Sequence, residues 1–228
     1  QSTGHTDLMY QLCPSVISLY SSTMTDHYLT IATLGEGLYT EKRSRFLAFA
    51  IHVENEEEVK EIVKKYQKDY YDARHVCYAY VLGHGGERTR GVDAGEPSGT
   101  AGRPILGQIK SKNLTNTLVI VVRYYGGTPL GAANLGRAYQ AAALEALNQA
   151  VTEEKIVTKN INISVPYTEV DAIMKILREE STEISSREYD ATAQHMTVTI
   201  PLNGVELLCE RLRKFYTVKI QIEDNDGE

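Results

Sequence analysis

Residues 117–125 constrain the fold more than any other part of this sequence. They read TLVIVVRYY, so apolar and β-branched side chains follow one another without the alternation of a half-exposed strand. An unbroken apolar run of this length is typical of a strand that is covered on both faces. We therefore predict a buried strand here and interpret the rest of the chain around it.

Periodicity and end signals outline the remaining elements, which begin near Ser44. Asn55 precedes three glutamates and an apolar stripe at helical spacing, which indicates the start of a helix. In contrast, seven glycines between residues 83 and 102 predict an irregular loop. We predict strands over residues 45–53, 75–82, 117–125, 156–165, 183–190, 193–201 and 218–222, and helices over about 55–70, 104–109, 134–150, 167–177 and 203–215.

The element order divides the 228 residues into two α+β domains. Residues 24–152 form the first domain. Residues 153–228 form the second, whose β-α-β-β-α-β order is the ferredoxin-like arrangement. Residues 1–23 lack periodicity, so we expect an unstructured lead, with Met24 as the natural start. No apolar run approaches the roughly 18 residues that span a bilayer, so we predict no membrane partner.

Charge is distributed unevenly between the two domains. Residues 151–228 carry nine basic and fifteen acidic side chains, whereas residues 74–137 carry eight basic and three acidic ones. A region with an excess of one sign attracts partners of the opposite sign. We therefore expect an anionic partner at one face of the first domain. The acidic second domain is a candidate surface for a protein partner.

The cysteines and histidines indicate the cellular compartment and whether a metal site is to be expected. Cys13, Cys77 and Cys209 are far apart and form no CxxC pair. An odd and sparse set of this kind is typical of reduced thiols in the cytoplasm. The histidines show no HxxxH or HExxH spacing, so we predict neither a metal site nor a cofactor.

Two glycine-rich segments form the candidate binding region. One covers residues 93–104, and the other, residues 123–137, joins the buried strand to a helix. Glycine lets backbone N–H groups approach a ligand, and the start of a helix favours an anion such as phosphate. Arg123 at the end of the strand and Arg137 in the first helical turn can flank that anion. The alternative is that these glycines only permit tight turns and close packing.

Four side chains are candidates for catalysis, each with a structural alternative. Asp93 and Glu96 can act as acid and base or hold a metal, but carboxylates in such loops more often cap or face water. His75 and Cys77 share one face of a strand and can form a nucleophile–base pair. A cysteine among apolar residues, however, is ordinarily an inert part of the core. Neither glycine-rich segment has the Walker A or GxGxxG pattern of nucleotide-binding enzymes.

These segments resemble the YigZ/IMPACT family, in its bacterial two-domain branch. The motifs that carry the resemblance are Arg74-His75-x-Cys77, then Gly95-Glu96-Pro97-Ser98-Gly99-Thr100-Ala101-Gly102, and finally Arg123-Tyr124-Tyr125-Gly126-Gly127 continuing to Leu130-Gly131. The similarity covers residues 36–223. Ala94, Ala133 and Asn134 depart from the family's usual residues, and Asn134 is a candidate N-cap of the helix.

The resemblance implies an N-terminal domain of the βαβ type shared by a small-subunit ribosomal protein and domain IV of elongation factor G. It also implies a ferredoxin-like second domain similar to the last domain of elongation factor G. No enzymatic activity is established for the family, and its eukaryotic relatives restrain translational-control signalling. By analogy of fold, these domains imply contact with RNA or the ribosome.

The leading hypothesis is a cytoplasmic, translation-associated regulatory protein that binds RNA or the ribosome without catalysis, through a basic, glycine-rich face. Tyrosines lie among its arginines, as aromatic rings do where bases stack. The candidate phosphate or RNA ligands are Arg74, Arg103, Arg123, Tyr125, Gly126, Gly127, Gly131, Asn134 and Arg137. The alternative is an enzyme that acts on a small phosphorylated metabolite or nucleotide at the turn between strand and helix.

Overall fold

The computed structural model describes residues 27–223, within which the chain forms eleven strands and five α-helices. The strands are β1 (His27–Ile31), β2 (Gly35–Glu41), β3 (Ser44–His52), β4 (His75–Leu82), β5 (Arg88–Val92), β6 (Thr117–Tyr124), β7 (Thr152–Ile156), β8 (Thr158–Pro166), β9 (Glu183–Tyr189), β10 (Ala193–Pro201) and β11 (Lys219–Ile222). The helices are α1 (Glu56–Asp69), α2 (Gly102–Ser111), α3 (Ala132–Gln149), α4 (Val170–Glu179) and α5 (Val205–Leu212). The α+β class is confirmed. The predicted lead, residues 1–23, lies outside the described residues.

A five-stranded antiparallel sheet of order β2-β3-β6-β4-β5 forms the centre of the first half. β6 is its middle strand, and successive side chains of a strand point to opposite faces. Val119 and Val121 pack with α2 and α3, whereas Leu118 and Ile120 pack with α1. The prediction of a strand buried on both faces is therefore confirmed.

The prediction that regular structure begins near Ser44 is wrong, because β1 and β2 precede it. β2 shows no apolar pattern because it contains two glycines where it lies against α3. A Cβ added at Gly37 would be 2.5 Å from the backbone nitrogen of Ala146. The prediction of an irregular loop over residues 83–102 is also wrong in part. It contains β5, an exposed strand at the edge of the sheet that has no apolar face to reveal it.

The second half contains a four-stranded antiparallel sheet of order β11-β8-β10-β9. α4 and α5 cover one face of this sheet and close a separate core around Ile161, Ile173 and Leu208. From β8 to β11 the elements follow the order β-α-β-β-α-β. This half therefore has its own sheet, its own helices and its own apolar interior.

A two-stranded antiparallel sheet, β1 with β7, lies where the halves join. The backbone N–H of Thr115 donates to the carbonyl of Leu29 at 2.9 Å, which attaches β1 to the first half. The domain boundary predicted between residues 152 and 153 falls within β7, and the division into domains stays a prediction. None of the helices within residues 27–223 combines the length and the apolar content needed to cross a bilayer.

Candidate anion-binding site

A buried ion pair lies at the end of β6. The Nη1 of Arg123 donates to Oε1 of Glu96 at 2.6 Å, and the two side chains are only 8% and 3% exposed. The hydroxyl of Tyr139, from α3, donates to the same carboxylate oxygen at 2.8 Å. Burying a charge away from water is costly unless the charge is paired and hydrogen-bonded, and here both conditions are met.

Strand register places the partners of this pair. Arg123 lies opposite Phe46 on β3 and opposite His75 on β4, so the three side chains share the face that α3 covers. The guanidinium of Arg123 lies 5.5 Å from the centre of the Phe46 ring. His75 donates from Nδ1 to the carbonyl of Ala94, which leaves Nε2 3.9 Å from Oε2 of Glu96. That separation is too long for a hydrogen bond.

Hydrogen bonds to Asp93 fix the loop that positions Glu96. The Asp93 carboxylate accepts hydrogen bonds from the backbone N–H groups of Gly99, Ala101 and Gly102, so it caps the start of α2 from eight or nine residues away. Burial alone would raise the pKa of the Asp93 carboxyl, but these three donors outweigh burial and hold the pKa below its ordinary value. Asp93 therefore has a structural role in shaping this loop.

Cys77 is held in the same buried network. Its sulfur lies 2.9 Å from the carbonyl oxygen of Asp93 and 3.3 Å from the hydroxyl oxygen of Tyr139. Burial, the largest influence, raises the pKa of the Cys77 thiol to about 12, and burial also raises the pKa of Tyr139. A nucleophilic cysteine needs an accessible thiolate, so this environment does not support the nucleophile hypothesis. Cys209 is likewise buried, with a raised pKa, and Cys13 lies outside the described residues.

A cavity of about 600 Å³ opens beside the ion pair. One wall comes from the start of β4, the end of β6 and the loop before α2, and the other comes from the segment that leads into α3. Its lining residues are Arg74, His75, Glu96, Pro97, Arg123, Tyr125, Pro129, Leu130, Gly131, Ala132 and Leu135. The cavity thus combines charged side chains, a tyrosine ring and an apolar floor.

The N-terminus of α3 borders this cavity without a side-chain cap. Gly131 is the N-cap, with a φ of 78° that favours glycine, and the first turn contains no acidic residue. The first N–H groups of a helix have no intrahelical partner, and the helix dipole makes this end positive. Together these features make the cavity wall attractive to an anion.

Two side chains complete the mouth of the cavity. Arg74 is exposed and precedes β4, and Tyr125 is 49% exposed and follows β6. The guanidinium of Arg123 lies 5.7 Å from the centre of the Tyr125 ring, which holds the ring at the cavity. The Nε of Arg123 is buried and has no hydrogen-bond partner among the described residues. The arginine therefore retains donor capacity beyond its bond to Glu96.

The structure brings some of the predicted ligands together and leaves others apart. Arg74, Arg123, Tyr125 and Gly131 all line the cavity. Gly126 instead packs against β3, where an added Cβ would be 2.2 Å from the backbone of Arg43. Gly127 is exposed with a φ of 86°, as expected for a turn.

Two predictions about the start of α3 are corrected, and the predicted arginine ligands do not all reach the cavity. Asn134 is not the N-cap, since α3 begins at Ala132, and its amide donates to the carbonyl of Leu130. Arg137 therefore lies in the second turn, not the first. Arg103 and Arg137 are exposed but do not line the cavity. Arg123 is not a free surface cation, because a carboxylate of the chain already neutralises it.

The GEPSGTAG motif works mainly through its backbone. Gly95 and Gly99 adopt φ values of 88° and 76°, and the Thr100 hydroxyl donates to the carbonyl of Pro97 at 2.6 Å. Gly102 lies so close to Gly91 of β5 that an added Cβ would be 2.6 Å from its backbone. Among residues 27–223, no three His, Cys, Asp or Glu side chains gather as metal ligands. The motif thus builds the loop that carries Glu96.

Tyr139 and the apolar wall of the cavity are the parts that sequence reasoning missed. Tyr139 lies on the apolar face of α3, where its ring packs against the ring of Phe46 with the two ring centres 5.1 Å apart. A buried tyrosine hydroxyl ordinarily has a hydrogen-bond partner. A tyrosine on the apolar face of a helix was therefore the signal in the sequence that a polar group lies close to it. Leu130 and Leu135 contribute packing surface and have no polar signature in the sequence.

The fold and the cavity define an α+β protein with a mixed polar and apolar cavity at a helix N-terminus, assembled around a buried arginine–glutamate pair. Residues 42–147 match the Impact N-terminal domain family. The chain is 34% identical over 174 residues to IMPACT family member YvyE of Bacillus subtilis (strain 168), covering 76% of this chain and 80% of that protein. It is 31% identical over 183 residues to IMPACT family member YigZ of Escherichia coli (strain K12), covering 79% and 89%. The chain belongs to the IMPACT family, which confirms the resemblance seen in the motifs.

One solved structure, described as "Crystal structure of an hypothetical protein", matches with a TM-score of 0.67 and 27% identity. The match covers 89% of this chain and all of that one. It supports the α+β architecture over both halves.

Proposed function

We propose that this protein is a translation-associated, cytoplasmic RNA-binding protein that contacts RNA phosphate at the cavity beside α3, without catalysis. The observation that carries the proposal is the uncapped N-terminus of α3 opening onto a cavity that Arg74 and Arg123 also line. Membership of the IMPACT family supports the association with translation. The assignment of the two halves to the ribosomal-protein and ferredoxin-like fold types is part of the same proposal.

The arrangement of charges favours an anionic partner in spite of the Arg123–Glu96 pair. Glu96 neutralises Arg123, so the net positive charge at the mouth comes from Arg74 and the helix end. Protein sites for single-stranded nucleic acids commonly combine an arginine, free amide groups and an aromatic ring. The acidic second half, with nine basic and fifteen acidic residues in 151–228, is the proposed surface for a protein partner.

The test measures the affinity for a labelled single-stranded RNA by fluorescence anisotropy between about 50 and 300 mM salt, where phosphate contacts weaken strongly. We expect Arg74→Gln to weaken binding at low salt and to reduce the salt slope by about one. Tyr125→Ala should weaken binding about tenfold with the slope unchanged, because base stacking carries no net charge.

Each variant has a matched control. Lys64→Gln removes one exposed positive charge from α1, on the opposite face of the sheet, and Tyr216→Ala removes a fully exposed ring from the second half. Both should bind RNA as the unchanged protein does. Equal affinities and parallel salt curves for Arg74→Gln and Lys64→Gln would refute the proposed site.

A second function, action on a small phosphorylated metabolite or nucleotide, is favoured by one observation. The cavity of about 600 Å³ lies within the range of small-molecule sites, roughly 300–1,000 Å³. A thermal-shift screen of sugar phosphates and nucleotides separates the two functions. Stabilisation by one metabolite, together with no binding of RNA, would replace the first proposal by the second.

A further inference from the structure

We infer that the cavity holds a single ribonucleotide bearing a 5′-phosphate, either as the 5′ end of an RNA or as a free mononucleotide. The inference rests on the anion site proposed above and specifies what fills it. Three groups of contacts, one each for the phosphate, the sugar and the base, carry the argument.

The phosphate contacts suit a terminal phosphate better than one within a strand. The first turn of α3 presents unpaired N–H groups, and Arg74 and Arg123 line the same cavity. A phosphate inside a strand offers two non-bridging oxygens and one negative charge, whereas a terminal phosphate offers three oxygens and up to two charges. A donor set of this size is therefore best satisfied by a phosphomonoester.

Glu96 supplies the contact that a sugar would use. Its Oε1 is occupied by Arg123 and Tyr139, but Oε2 accepts no hydrogen bond within the described residues, and His75 Nε2 lies 3.9 Å from it. A carboxylate oxygen on the wall of an anion site repels phosphate but accepts a hydrogen bond from a hydroxyl. The ribose 2′-hydroxyl is such a donor, and it distinguishes RNA from DNA.

Tyr125 supplies the contact for the base. Its ring stays about half-exposed at the mouth while Arg123 holds it from below. A π face fixed beside a phosphate site is a platform on which one base stacks, whatever its identity. Pro97, Pro129 and Leu135 add apolar surface to the same cavity, and its volume is that of a site for one small ligand.

The experiment compares four oligonucleotides of one sequence: RNA with a 5′-phosphate, RNA with a 3′-phosphate, RNA with neither, and DNA with a 5′-phosphate. The RNA with a 3′-phosphate has the same charge as the RNA with a 5′-phosphate, so it controls for electrostatics. We expect the 5′-phosphorylated RNA to bind about tenfold more tightly than the other three, the difference expected from losing one group of charged or hydroxyl contacts. Adenosine 5′-monophosphate should compete with it, and deoxyadenosine 5′-monophosphate should compete less well.

Each outcome supports or refutes either the RNA-binding function or the inference of a terminal nucleotide. Equal binding of the three RNAs, with the Arg74→Gln effect intact, overturns the terminal-nucleotide inference and leaves the RNA-binding function standing. Binding of adenosine monophosphate without binding of any RNA supports the nucleotide site and overturns the RNA-binding function. Equal binding of RNA and DNA that both carry a 5′-phosphate would refute the hydrogen bond inferred between Glu96 and the ribose 2′-hydroxyl. No binding of oligonucleotides or mononucleotides refutes both.

Discussion

At the scale of single residues, Arg123 shows that a charged residue in the sequence need not be a free charge on the protein surface. Arg123 lies near the end of a buried strand and shortly before two glycines, which is the position of a phosphate ligand in many helix-start sites. The chain itself contributes Glu96 from 27 positions away to neutralise it. Sequence spacing cannot reveal such a pair, because the loop that carries Glu96 is placed by backbone hydrogen bonds to Asp93.

The first prediction concerns the stability of that pair. Arg123→Ala leaves the Glu96 carboxylate buried without its cation, so the free energy of unfolding should fall by about 3–5 kcal/mol. The double variant Arg123→Met with Glu96→Gln removes both charges and lets Tyr139 keep its hydrogen bond to residue 96. It should therefore be clearly more stable than Arg123→Ala. Urea unfolding followed by circular dichroism measures both variants, and equal losses would show that the buried charge is not the cause.

The second prediction concerns Asp93 and pH. Asp93→Asn replaces an acceptor of three backbone N–H groups with a weaker one, so stability at pH 7 should fall by about 2 kcal/mol. The pKa of Asp93 in the folded protein lies below its ordinary value of 3.8, so the unfolded chain takes up the proton first. The stabilisation is therefore complete above about pH 5 and is lost as the pH falls through the folded value. A stability gap between the two proteins that stays constant down to pH 2 would contradict this account.

At the scale of secondary-structure elements, predictability follows burial. β6 and α1 stand out in the sequence because an unbroken apolar run and an Asn55 N-cap are local signals, and the cap is present with the Glu58 N–H as its donor. β2 and β5 carry no such signal. β2 contains glycines that α3 requires for close approach, and β5 is an edge strand exposed to solvent. Their pairing depends on partners distant in the chain, so only the folded structure reveals it.

The third prediction uses two glycines of α2 as a matched pair. An added Cβ at Gly102 would lie 2.4 Å from the backbone nitrogen of Val92, whereas at Gly107 nothing lies within 4 Å. Gly102→Ala should therefore push β5 away from α2 and lower the free energy of unfolding by about 1–3 kcal/mol. Gly107→Ala should raise it by up to about 1 kcal/mol, because alanine favours a helix over glycine. If both variants shifted the urea midpoint in the same direction, the close approach of β5 and α2 would not be what constrains Gly102.

At the scale of the whole molecule, the site and the second core are separate. Every residue that lines the cavity lies between positions 74 and 135, whereas the core of the second half is built from residues after 160. The sequence predicted the β-α-β-β-α-β order that the second half shows, and it predicted a binding region in the glycine-rich segments. It could not indicate the cavity itself, because that space forms only when the start of β4, the end of β6, the loop before α2 and the start of α3 meet.

The last prediction tests this separation. Ile161 is fully buried in the second core, and Ile161→Ala should lower the stability of that half by about 2–5 kcal/mol through the cavity it leaves. Hydrogen exchange followed by mass spectrometry should then accelerate in β8, β10 and α4 while β6 and α3 stay protected, because partly independent units open separately. RNA affinity at 25 °C should remain unchanged. Leu135→Ala, on the wall of the cavity, should instead accelerate exchange in α3 and weaken RNA binding. If Ile161→Ala accelerated exchange equally in both halves, the chain would unfold as one cooperative unit, and the second half would stabilise the binding site as well as carry its own core.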